Sequence, residues 1–122
     1  MASGKLLGEF SLKSTSLTLS PGPGGSTLIA GNFEGTATGF GTIIGTGTFV
    51  GGKQGTFSWC GAAYLDSGDT NSAAGAGTYE SVGKHRWNTQ GNLHFLDGQT
   101  LVIEGTIDLA TRSWNGKIYE KT

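Results

Sequence analysis

Apolar and polar residues alternate along most of this chain, and no helical period holds over a stretch of about 11 residues. Leu6, Gly8, Phe10 and Leu12 alternate with Leu7, Glu9, Ser11 and Lys13, as in a strand with one buried face. Thr15 to Leu19 forms a second short run, and Pro21-Gly22-Pro23-Gly24-Gly25 breaks the chain as a loop or wide turn. Residues 26–38 read as a strand with Leu28, Ala30, Asn32, Glu34 and Thr36 on one face and Ile29, Gly31, Phe33, Gly35 and Ala37 on the other. Residues 40–50 follow as a strand and Gly51-Gly52-Lys53-Gln54 as a turn. The strand over 55–65 sets Phe57, Trp59, Gly61, Ala63 and Leu65 opposite Thr56, Ser58, Cys60, Ala62 and Tyr64. The longest expected loop is Asp66 to Ala74, and further strands are expected at 76–82, 84–96, 99–109 and 113–120. Asp97-Gly98 suits a two-residue hairpin turn.

Eight or nine strands at such regular spacing predict an all-β fold, a closed antiparallel up-and-down barrel of about eight strands, in a single domain over 1–122. Composition sharpens this picture. The chain has 23 glycines, and several (Gly35, Gly39, Gly41, Gly45, Gly47) recur where strands are expected. Glycine weakens a strand interior, so its repetition implies tight coiling around a narrow lumen with little room for side chains. Gly45-Thr46-Gly47-Thr48 prompts a competing reading, a Thr-rich ice-binding face, but such a face needs a regular array of Thr and the repeat ends there.

Charge excludes more than it suggests. Charged residues are 14% of the chain and the net charge is -1, with no basic patch interleaved with aromatics, so nucleic acid is not an expected partner. No apolar run reaches the roughly 18–20 residues of a membrane helix. Met1-Ala2-Ser3-Gly4-Lys5 leads into no apolar stretch long enough for a secretory signal, so a cytoplasmic location is expected. The single cysteine, Cys60, allows no intrachain disulfide and no zinc spacing. It reads either as a small buried hydrophobe or as a nucleophile served by His85 or His94.

Gly75-Ala76-Gly77-Thr78-Tyr79-Glu80-Ser81-Val82-Gly83 is similar to the glycine-rich segment of the allene oxide cyclase barrel superfamily. That superfamily includes plant allene oxide cyclases, dirigent proteins, bacterial spirotetronate cyclases and calycin-like bacterial proteins. His85-Arg86-Trp87 resembles the following strand in the spirotetronate cyclases. Gly31-Asn32-Phe33-Glu34-Gly35-Thr36 and Gly55-Thr56-Phe57-Ser58 resemble the calycin-like bacterial group. The resemblance spans residues 28–90 and implies an eight-stranded barrel, a central apolar pocket, frequent oligomers, and cofactor-free cyclisation or isomerisation where there is activity. The strands at 99–109 and 113–120 extend past the point where many relatives stop.

Chemistry in such a lumen would need one or two ionisable groups among aromatics. His85, on a face with Trp87 and Thr89, is a candidate general acid or base if it points inward; otherwise it is an exposed histidine. Glu34 lies on the side of Leu28 and Ala30, where a carboxyl could be buried or could sit on a sheet surface. His94, between Leu93 and Phe95, reads as catalytic or as a satisfied structural group. Tyr64 and Tyr79 could polarise a carbonyl or hold an enolate. Glu104 could face outward or into a wet lumen, and Asp66 and Asp69 are candidate rim residues without calcium-loop spacing. His85, Glu34, His94 and Tyr64 are the catalytic candidates, and Trp59, Tyr79, Trp87, Phe40 and Phe57 the aromatic wall around a substrate.

The function expected is that of a cofactor-independent, metal-free enzyme, a cyclase, isomerase or lyase acting on a small apolar molecule, in a barrel expected to form homo-oligomers. The alternative is a non-enzymatic barrel for a lipid, a terpenoid or a carbohydrate, the last stacking on Trp59, Trp87 or Trp114. A third possibility is a structural subunit with Trp114 and Tyr119 at an interface.

Overall fold

In the computed structural model, which describes residues 4–121, alternating segments become eight strands: β1 (Leu6–Pro21), β2 (Thr27–Ala37), β3 (Gly41–Gly51), β4 (Gln54–Tyr64), β5 (Thr70–Gly83), β6 (Arg86–Phe95), β7 (Thr100–Asp108) and β8 (Ser113–Glu120). Each pairs antiparallel with the strand before it, and β1 pairs with β8 to close the barrel. Met1 to Ser3, on which the expected absence of a secretory signal partly rested, lie outside the described residues, as does Thr122. Among the described residues no helix is long and apolar enough to cross a membrane.

The face that turns inward is the one holding the larger apolar residues. On β2 it carries Phe33 and Ala37, on β4 Phe57, Trp59 and Ala63, and on β7 Leu101 and Ile103, all buried. Burying these rings and branched chains drives closure, at roughly 25 cal/mol per Å² of apolar surface. Trp114 of β8, 1% exposed, stands at the centre. Phe10, Phe33, Phe49, Phe57 and Trp59 meet it edge to face, with ring centroids 5.3–6.1 Å apart. Its indole N–H donates to Thr89 Oγ1 at 3.0 Å, and that hydroxyl donates to the Gly105 carbonyl at 3.1 Å. The one polar atom of the central ring is therefore satisfied inside the core.

The inward glycines are seats for these rings. A Cβ at Gly61 would lie 2.7 Å from the Trp59 ring, and one at Gly77 would lie 2.7 Å from Phe57. At Gly105 and Gly116 a Cβ would stand 2.9 and 2.8 Å from Phe10. The narrow lumen inferred from the glycines is thus filled by aromatic rings lying over neighbouring strands.

Several boundaries differ from those expected. Thr15 to Leu19 continues β1, because a bulge between Ser14 and Ser16 shifts the register. Phe10 and Leu12 lie inside before it; Leu17 and Leu19, opposite Gly31 and Ile29, follow the inner side after it. The added residue breaks the alternation and makes one strand look like two. The expected loop 66–74 shrinks to the tight turn after Tyr64, where Leu65 N–H donates to Asp69 O at 2.8 Å. Thr70, Asn71 and Ser72 pair with Tyr64, Ala63 and Ala62 instead. Their small polar side chains read as loop, but the ladder decides. Asp97-Gly98 is part of a wider turn, in which Phe95 N–H donates to Gln99 O at 2.8 Å and Gly98 takes φ +94°.

Candidate functional site

The connections β2–β3, β4–β5 and β6–β7 lie together at one end of the barrel, as up-and-down order requires. Beneath them the lumen narrows to small side chains: Ala37 of β2, Gly61 and Ala63 of β4 and Ala73 of β5. A cavity of about 60 Å³ remains, walled further by Leu12, Ile43, Leu93, Phe95, Ile103 and Ile118 and floored by Trp59 and Trp114. By the measure of roughly 10–15 Å³ per enclosed water, this holds only a few heavy atoms. It lies far below the roughly 300–1,000 Å³ of a drug-sized site.

Phe40 stands over this mouth. It is half-buried and stacks on Phe95 with centroids 6.2 Å apart and planes 22° apart. Its turn is built by Gly39 at φ +81° and Gly41 at φ +84°, left-handed conformations that suit glycine. Phe40 N–H donates to Ala37 O at 2.9 Å, and Thr38 N–H donates to Glu9 O at 2.9 Å, which ties the turn to β1. Asn71 is the one polar side chain among the described residues of the lining, and its Nδ2 donates to Asp97 Oδ2 at 3.3 Å. Among the described residues no acid, base, thiol or hydroxyl lines the cavity.

The four catalytic candidates are not brought together here. His85 lies in the β5–β6 turn, at the opposite end, exposed and at φ +56°. It is not on a strand face with Trp87, because β5 runs to Gly83 and β6 starts at Arg86. Glu34 is exposed on the outer face of β2: its inner neighbours are Phe33 and Gly35, and the larger residues take the core. His94 also points outward, with Nδ1 3.1 Å from Thr100 Oγ1. Tyr64 is 48% exposed at the outer edge of β4. Cys60, read as a small buried hydrophobe, is exposed on the outer face between inward Trp59 and Gly61.

The aromatic candidates divide differently. Phe40 and Trp59 line the cavity. Phe57 and Tyr79 are buried beyond Trp114, and Trp87 packs partly buried against the same core. With Trp59 8% and Trp114 1% exposed, neither offers a face for sugar stacking or an interface. Burial pushes the Tyr79 phenol above its ordinary value, so it stays a neutral hydroxyl. Asp66 and Asp69 are exposed in the β4–β5 turn at the cavity end. Glu104 faces outward, half-buried, opposite Lys117 of β8. Among the described residues no three His, Cys, Asp or Glu side chains gather as metal ligands.

The residues that reasoning from sequence missed are the alanines and Asn71. Their signal was present, since Ala37, Ala63 and Ala73 hold inward positions in a wall that otherwise carries mostly rings and branched chains. No family model matches the chain, and neither a curated protein nor a solved structure matches it.

Proposed function

We propose that this barrel is a non-enzymatic binding protein that takes up the end of a narrow apolar molecule, such as an alkyl chain bearing one polar group. One observation carries this reading: among the described residues, the cavity at this end of the lumen is lined by apolar side chains apart from Asn71, with no titratable one. Binding there would be driven by burial of the guest's apolar surface. Asn71, whose amide donates toward Asp97, offers its carbonyl oxygen to a guest hydroxyl. The cyclase or isomerase chemistry implied by the resemblance would need an acid or base at the guest, and the candidates stand elsewhere. A reducing, cytoplasmic setting goes with this reading, because Cys60 is a lone exposed thiol.

The test is intrinsic fluorescence of the purified chain titrated with hexanol, octanol and decanol, since Trp59 and Trp114 both line the cavity. A saturable change is expected, and Ala73→Leu, which fills the gap, abolishes it. No saturable response to any of the alcohols, or an equal response from Ala73→Leu, overturns the proposal.

A further inference from the structure

A second concavity, of about 950 Å³, lies on the outer face of β4 to β8, across the wall from the lumen. It is built by register. Thr56, Thr78, Gln90, Glu104 and Lys117 stand opposite one another in a row across five strands. A neighbouring row runs Glu80, Asn88, Thr106 and Asn115. Outward residues of an ordinary soluble surface mix many charges of both signs. Here amides and hydroxyls dominate, with two carboxylates, Glu80 and Glu104, against one ammonium, Lys117.

We infer that this groove binds a neutral, linear oligosaccharide. Sugars present rings of uncharged hydroxyls that both donate and accept. Side-chain amides answer with a donor and an acceptor in one plane, and carboxylates accept from two hydroxyls at once. Thr106 Oγ1 donates to Asn88 Oδ1 at 3.1 Å, which fixes that amide with its NH₂ as the donor end. Tyr119, half-buried at one side of the groove, supplies an aromatic surface for the apolar face of a sugar ring. The near balance of charge gives no attraction for a polyanion such as nucleic acid. The volume lies at the upper end for small-molecule sites, which suits several linked units more than one. All the groups stand on paired strands, so little ordering is lost on binding.

The groove and the cavity lie on opposite sides of the wall, so the test separates them. Isotope-labelled chain is titrated with cellohexaose, maltohexaose and chitohexaose while backbone amide resonances are followed by NMR. Saturable shift changes clustered on β4 to β8 are expected for at least one of these sugars. The double variant Asn88→Ala/Gln90→Ala, both exposed positions, weakens that affinity about tenfold or more. The same variant keeps the wild-type thermal midpoint and fluorescence response to alcohols, which shows that it is folded. Failure of all three sugars to shift these strands, shifts confined to the cavity residues, or undiminished affinity in the double variant overturns the inference.

Discussion

The two halves of this lumen have the same wall and opposite fillings. Toward the β1–β2 end, Phe33, Phe49 and Phe57 meet Trp114 edge to face and Tyr79 packs on Phe49, all of them buried. Toward the other end, Ala37, Ala63 and Ala73 leave the wall bare and Phe40 covers what remains. Strand number and closure do not differ between the halves, so the fold did not make the hollow. Side-chain volume at a handful of inward positions did. A closed barrel of this size holds side chains or one small guest, and this chain fills one half with rings and leaves a cavity of about 60 Å³ in the other.

Removing the centre of the packed half breaks the contrast most. Trp114→Ala should cost about 3–5 kcal/mol of stability, read from the urea midpoint, because five rings lose their common contact. By comparison Ala73→Leu, at the hollow end, should leave that midpoint nearly unchanged, because the added atoms enter existing space. Thr89→Val comes next. It keeps the shape but strips the acceptor from the Trp114 N–H, and should cost about 1–3 kcal/mol in the same measurement.

The smallest effect is one of pH. Tyr79 is buried in the packed half, and a Cβ at Gly55 would come within 3.0 Å of its hydroxyl, so the oxygen lies close beneath the β3–β4 turn. Burial raises the phenol's folded-state pKa above the ordinary 10.0. The unfolded chain then loses this proton first as pH rises, so the stability contribution is intact below about 10 and declines above it. Tyr79→Phe should flatten the alkaline fall of the urea midpoint; an unchanged slope would detach the effect from this residue.

Much of the fold could be read from local pattern. The faces of β2, β4 and β7 follow directly from alternation, and strand spacing gave the barrel. The site was less legible. His85 attracted attention as an ionisable group read on one face with Trp87, and Glu34 as a carboxyl read on the side of Leu28 and Ala30, yet one sits at a turn and the other outside. Alternation says that two faces exist; in strands rich in glycine and threonine it marks the inner one only weakly. The bulge at Thr15 and the strand start at Thr70 were hidden for a related reason, since each departs from the local pattern to satisfy a ladder with a distant strand.

By itself, the order of residues determined that this chain alternates, turns at regular intervals and must coil tightly where glycine replaces side chains. Those are short-range properties, set by backbone sterics and a period of two. Only closure of β8 onto β1 decided which glycine seats which ring, where the alanines gather into a gap, and which polar rows align across five strands into a groove. Each of these depends on residues far apart along the chain meeting in one register, and no local stretch contains that information.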